Sequence, residues 1–207
     1  MTTSALSPSA PSHLPVARQP IWTTDGRLHG HEYLYRSSLG RPAQVDRWSA
    51  DRQDGATTAV LSALFHDGEP PGDTLAFVNV TRSFLVSDLP LPRVPERLVV
   101  EVVETVAADQ DVLAGLQRLR SGGYRIALDD FVATPDQVAM LPYADYVKVD
   151  CRDLEADDGR LASTARGEGA MLVAERVSSS ARKQRCTELG FDLLQGDSLG
   201  RAVTLLL

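Results

Sequence analysis

Apolar runs of strand length alternate with helical patterns along most of this chain, and that alternation limits the folds open to it. "VARQPIW" and "LHGHEYLYR" read as two strands joined by a turn at Asp25-Gly26. "TLAFVNV", "ERLVVEVVE", "YRIALDDF", "DYVKVD", "AMLVAERV" and "FDLLQG" read as further strands. Between them lie helical patterns: "TAVLSALFHDG" with Gly68 as a stop, "DQDVLAGLQRLRSGG", "TPDQVAML", "GRLASTARGEG" and "SSARKQRCTELG". No antiparallel meander is needed after the first hairpin. Repeated βα units around a buried parallel sheet follow from such a pattern. Periodicity alone leaves both a closed barrel and an open sandwich in place. The acidic stretch "VDCRDLEADDGR" reads as a loop.

The strands share a second feature. Several of them carry a polar residue in or at the end of an apolar run: Glu32, Asn79, Glu101, the pair Asp129 and Asp130, Lys148, Glu175 and Gln195. Parallel α/β folds gather their chemistry at the carboxyl ends of strands. A single strand-end Asp is commonly a turn or cap residue, a single Glu can face solvent, and a single Lys suits an edge strand. As a set they need another explanation, because buried charges must be paired or bind metal. Converging carboxylates raise one another's pKa values. Divalent cations relieve that repulsion, and an oxygen-only ligand set points to Mg²⁺ or Mn²⁺.

The 207 residues carry a net charge of -7, an acidic balance that argues against a partner such as a DNA or RNA polymer. No run approaches the roughly 18 uninterrupted apolar residues of a membrane span. The start, "MTTSALSPSAPSHL", lacks the basic and apolar regions of a signal peptide. Residues 1–15 read as a disordered leader, residues 16–207 as one domain, and the location as cytoplasmic. Cys151 and Cys186 have the wrong spacing for a CxxC site and read as unpaired thiols in a reducing compartment.

In order and combination, these motifs resemble the EAL-domain family of cyclic di-GMP phosphodiesterases. Glu32-Tyr33-Leu34 stands at the place of the naming triplet, in a form similar to EAL domains joined to HDOD domains. "FVNV", "EVVE" (Glu101 and Glu104), "GYRIALDDF", "ADYVKVD", "LVAERV" and "GFDLLQG" follow in the family's order. The resemblance implies a TIM-like (β/α) barrel with one early antiparallel strand, in a compact form with reduced helical cover near its C-terminus. It implies metal-dependent hydrolysis of cyclic di-GMP to linear pGpG. Glu32, Asn79, Glu101 and Asp129 would hold one Mg²⁺ or Mn²⁺. Asp129, Asp130 and Glu175 would hold a second. Glu175, Lys148 and Glu32 would be the catalytic groups, and Arg36 and Gln195 would meet the substrate. A homodimer and a regulatory protein partner are further expectations. Ser178 stands where the family has a second Glu, and Val132 where it has a glycine after the paired Asp. These departures keep a second expectation open, an inactive domain that binds cyclic di-GMP as a sensor or acts through protein contacts.

Overall fold

The computed structural model of the chain describes residues 14–66, 74–86, 88–154 and 159–207. It opens with a hairpin of β1 (Pro15–Thr23) and β2 (Leu28–Tyr35). At its turn Gly26 takes φ 87°, a left-handed conformation that costs glycine little. Alternating helices and strands follow: α1 (Ala50–Phe65), β3 (Leu75–Val80), α2 (Arg82–Leu85), β4 (Leu98–Val102), α3 (Gln110–Ser121), β5 (Arg125–Leu128) and α4 (Pro135–Met140). The second half comprises β6 (Tyr146–Asp150), α5 (Cys151–Leu154), α6 (Arg160–Arg166), β7 (Met171–Glu175), α7 (Ser180–Glu188), β8 (Leu193–Gln195) and β9 (Val203–Leu206).

Strands β2 to β8 pair in chain order, all parallel, and β1 pairs antiparallel with both β2 and β8. The result is a closed eight-stranded barrel with one early antiparallel strand. Of the two architectures open to the sequence, the barrel is the one formed. Strand β9 lies antiparallel along Pro15–Arg18 of β1, on the edge that β8 occupies at Ile21–Thr23. This adds an antiparallel strand that the apolar runs do not announce. Two other expectations are corrected. Helix α1 begins at Ala50, well before the apolar stretch at Thr58, and the start of the acidic stretch after Asp150 is helix α5. The stop expected at Gly68 lies outside the described residues, as do residues 1–13.

Both faces of the strands are covered, which explains their near-continuous Val, Leu and Ile content. Outward residues, such as Val100, Val102, Ile126, Leu128, Val147 and Leu172, pack with Val60 and Leu64 of α1 and Val112 and Leu116 of α3. Inward residues form a separate apolar plug of Ile21, Phe77, Val99, Ala127, Tyr146, Val173 and Leu193. Each large buried side chain of this kind contributes about 1.5–3 kcal/mol. Three helices start on side-chain caps. Asp109 accepts from the Val112 N–H, Ser179 from the Arg182 N–H, and Thr134 forms a reciprocal capping box with Gln137.

Helix α3 packs closely against the end of α2 at Gly115. A Cβ there would run into the backbone carbonyl of Leu85, which also accepts a 2.7 Å hydrogen bond from Arg118. Ala normally stabilises a helix interior over Gly by about 1 kcal/mol. At this position the sign should reverse. Gly115→Ala is expected to lower the unfolding free energy by about 1–3 kcal/mol through overpacking, measured by urea denaturation. A gain in stability would contradict the contact.

Candidate active site

A second layer of side chains stands directly above the apolar plug, because successive inward residues on a strand are two positions apart. Phe77 is followed by Asn79, Val99 by Glu101, Ala127 by Asp129, Tyr146 by Lys148, Val173 by Glu175 and Leu193 by Gln195. On β2, Glu32 lies two past Gly30, where a Cβ would strike the Phe77 ring. On the antiparallel β1 the order reverses, and Gln19 lies two before Ile21 and opposite Glu32. The barrel thus turns from apolar to polar within one layer, at the carboxyl ends of its parallel strands.

Lys148 occupies the centre of the polar layer and is fully buried. Its ammonium pairs with Glu101, with Asp129 Oδ1 at 3.0 Å, with Glu175 Oε1 at 3.0 Å and with Glu32 Oε1 at 3.6 Å. Gln195 Nε2 donates to Glu32 Oε2 at 2.5 Å and to Gln19 Oε1 at 3.3 Å, and Asn79 Nδ2 lies 3.5 Å from Glu32 Oε1. Four carboxylates surround one ammonium, so the layer holds negative charge in excess. Burial pushes the Glu101 carboxyl well above the usual range, with Lys148 opposing it. Burial likewise raises Glu175 to about 8, where repulsion from Asp129 and Glu32 adds to it. Burial would lower the Lys148 pKa, but the carboxylates outweigh it and hold the ammonium charged.

Asp130 turns away from this layer through a left-handed backbone, φ 41°, which Asp tolerates better than most residues. Its carboxyl is raised to about 6 by burial and by the neighbouring Asp129. Carboxylate oxygens of Glu104, Asp129 and Asp130 lie within 4.8 Å of one another, close enough to hold a metal ion together. The backbone of this turn is fastened by Gln137, which is buried. Its Nε2 donates to the carbonyls of Asp129 at 3.3 Å and Asp130 at 3.0 Å, while its Oε1 accepts from the N–H groups of Val132 at 2.9 Å and Thr134 at 3.3 Å.

Over the polar layer lies a cleft of about 890 Å³. Glu32, Asn79, Asp129, Asp130, Glu175 and Gln195 line it, and Arg36 and Glu104 stand on its wall. Glu101 and Lys148 lie beneath its floor. All the residues singled out in the sequence therefore meet at one end of the barrel. The structure adds Gln19, Glu104, Gln137 and two arginines, Arg152 and Arg176. Both arginines reach the buried carboxylate of Asp150, Arg152 through Nη2 at 2.5 Å and Arg176 through Nε at 2.8 Å. Burial alone would raise the pKa of Asp150, but the hydrogen bonds and charge of the two arginines lower it. Glu104 had a sequence signal in "EVVE"; the others lacked one, apart from the inward register of Gln19.

The donor set fits a hard divalent cation. Among the buried polar atoms of this layer, Asn79 Oδ1, Glu101 Oε2 and Gln195 Oε1 have no hydrogen-bond partner. All are oxygens, in a layer already short of positive charge, and such oxygens are the ligands that Mg²⁺, Mn²⁺ and Ca²⁺ take.

Comparison with known proteins agrees with this fold. The EAL-domain model matches residues 80–202. The chain belongs to the EAL-domain family. The cyclic di-GMP phosphodiesterase CdgJ of Vibrio cholerae is 33% identical over 190 residues, covering 87% of this chain and 42% of that protein. The chain spans less than half the length of the curated relatives it matches. Among solved structures, the PaMucR phosphodiesterase in complex with c-di-GMP superposes with a TM-score of 0.76 at 25% identity, over 92% of this chain and 97% of that one. Klebsiella pneumoniae BlrP1, in a calcium and cyclic diGMP complex, shares the fold with a TM-score of 0.72 at 24% identity, over 96% of this chain and 58% of that one. Among the described residues, no helix of this EAL domain is long and apolar enough to cross a membrane.

Two predictions follow from the site. Asp130 and Glu175 have folded-state pKa values above their ordinary ones, so folding favours their protonated forms. Their contribution to stability is complete below the ordinary carboxylate range, near 3.8 and 4.5, and is lost as pH rises through about 6 and about 8. The metal-free domain should therefore lose thermal stability across that window. The rise in Tm on adding Mn²⁺ should be larger at the alkaline end, as scanning fluorimetry with and without EDTA would show. A metal-free protein that gains stability with pH through the window would refute the assignment. Separately, Gln137→Ala releases the turn that carries Asp129 and Asp130. It is expected to weaken Mn²⁺ binding about 10-fold or more, on the scale typical of residues that orient metal ligands, as read by calorimetry. Unchanged affinity would show that the turn holds itself.

Proposed function

We propose that this EAL domain hydrolyses cyclic di-GMP to linear pGpG with the help of Mg²⁺ or Mn²⁺. The observation that carries the proposal is the excess of buried oxygen ligands at the mouth of the barrel, four carboxylates against the single Lys148 ammonium, with Asn79 Oδ1 and Glu101 Oε2 unpartnered. Glu32, Asn79, Glu101 and Asp129 would hold one cation; Asp129 and Asp130, with Glu104 and Glu175 in reach, would hold a second. Bound divalent cations lower the pKa of water and neutralise charge on a phosphoryl group under attack.

The protein groups then have separable tasks. Lys148 keeps Glu32, Glu101, Asp129 and Glu175 drawn to a common centre. Gln195 fixes the rotamer of Glu32 through their 2.5 Å hydrogen bond, and both line the cleft. Glu175 lines the cleft 3.0 Å from the Lys148 ammonium and would accept the proton of the attacking water once a bound cation holds it ionised. Arg36, on the cleft wall, offers a guanidinium to a phosphate of the substrate. In the reaction, the water oxygen forms a bond to phosphorus while the bond from phosphorus to one ribose 3′ oxygen breaks. That opens the ring and leaves a 5′ phosphate.

One observation favours a second reading, in which the domain binds the dinucleotide without turning it over. Ser178 lines the cleft where the family has a glutamate, and its hydroxyl accepts from Arg182 Nη1 at 3.0 Å. A serine there cannot carry charge to a metal or a water. The assay is incubation of the purified domain with cyclic di-GMP and Mn²⁺ or Mg²⁺, followed by chromatography for pGpG. Metal-dependent conversion is expected, with Asp129→Ala lowering the rate by about 100-fold or more. Binding of cyclic di-GMP without pGpG would establish the second reading, and absence of both would remove the nucleotide from either.

A further inference from the structure

Cys151 and Cys186 are 35 positions apart in the chain, yet their sulfurs lie 3.3 Å from each other. Cys151 opens α5 directly after Asp150, and Cys186 lies on the buried side of α7. Both are free thiols in the described structure and both are buried. They border a second, partly open cavity of about 350 Å³, lined by both cysteines together with Leu154, Ala181, Arg182 and Arg185. None of these cysteine atoms takes part in the polar layer or the cleft.

We propose that Cys151 and Cys186 are a modification site, a dithiol that hydrogen peroxide converts reversibly into an intramolecular disulfide. The chemistry needs one thiol prone to ionise and a second within reach to resolve it. Cys186 fits the first task. A hydrogen bond from Cys151 and the charges of Arg182 and Arg185 lower its pKa against the effect of burial. Cys151 fits the second, since the shared hydrogen bond and burial push its own pKa up and keep it protonated. The Cys186 thiolate attacks one oxygen of the peroxide, breaking the O–O bond and releasing hydroxide, which leaves as water. The resulting sulfenic acid is then attacked by the sulfur of Cys151. The S–S bond forms, the S–O bond breaks, and a second water departs. Two thiols are oxidised and one peroxide is reduced to two waters. Closing the bond requires the sulfurs, 3.3 Å apart, to approach by roughly an ångström.

The location gives the bond a consequence. Arg182 lines both this cavity and the cleft over the polar layer, and Arg152, on the helix that Cys151 opens, lines the cleft as well. A crosslink from α5 to α7 would therefore tie together two parts of the cleft wall. The existence of the disulfide does not depend on what the cleft binds.

The test is intact-mass analysis of the purified protein after treatment with hydrogen peroxide and then an alkylating agent under denaturing conditions. The expected result is a species lighter than the reduced protein by two hydrogen atoms that takes up no alkyl group and regains two alkylatable thiols after dithiothreitol. Cys151→Ala should instead accumulate a sulfenic acid that dimedone labels at Cys186, and Cys186→Ala should be far slower to oxidise at Cys151. Two thiols still alkylated after peroxide would overturn the proposal. So would independent oxidation of each to a sulfinic acid, or disulfides formed only between molecules. The wild-type measurement stands even if either variant fails to fold.

Discussion

The upper half of the barrel depends on one buried ammonium. Lys148 has no exposure to solvent, and four carboxylates from β2, β4, β7 and the end of β5 point at it. An isolated buried charge of either sign would be too costly to keep ionised. Here each charge lowers the cost of its neighbours, and the strands supplying them are held in register by the sheet. The compensation is incomplete by design of the residue count, because one lysine cannot balance four carboxylates. The remaining excess is met by protons on Glu101 and Glu175, or by divalent cations. Proton binding and metal binding are thus alternative ways of neutralising the same layer.

This constraint explains why the polar residues sit where they do along the strands. A barrel of eight strands is filled by layers of inward side chains. The plug layer, from Ile21 to Leu193, excludes water and anchors the strands; the layer two residues further on carries the charges. The same two-residue step recurs in every parallel strand from β3 to β8. Shifting any of these strands by one residue would turn a polar site residue out toward the helices and, in most of them, bring a valine or leucine into the site. Register, ligand geometry and core packing are therefore one requirement.

Much of this was legible in the sequence. The strands were visible as apolar runs, and Glu101 in "LVVEVVE" and Lys148 in "YVKVD" stood out because a charge inside such a run needs a partner. What stayed hidden has physical reasons. Gln19 lies on the antiparallel strand of the barrel, where the inward polar residue precedes the plug residue, and it carries no charge to attract notice. Gln137 acts on backbone groups, so no pattern of side-chain types marks it. Arg152 and Arg176 carry no sequence signal, because the carboxylate they share, Asp150, becomes buried only once β6 and β7 are paired. Strand β9 is mostly exposed and takes its order from hydrogen bonds to β1, continued by the paired backbone groups of Leu14 and Leu207. Such a strand has little periodicity to read.

The altered turn after Asp130 illustrates how a departure in sequence can be absorbed in structure. Where the family has a glycine after Phe131, this chain has Val132, yet Val132 does not adopt a left-handed backbone. The positive φ values fall on Asp130 at 41° and Ala133 at 58°, on either side of it. The Val132 side chain is half exposed and meets no core residue that it would displace. Phe131 remains fully buried, and its N–H donates to the Lys148 carbonyl at 2.9 Å, while the Asp129 N–H donates to the Val102 carbonyl at 3.0 Å. The turn is thus tied to strands on both sides, and Gln137 closes it from within by four hydrogen bonds. Side-chain bonding to the backbone, rather than a glycine's conformational freedom at position 132, holds the turn that carries Asp129 and Asp130.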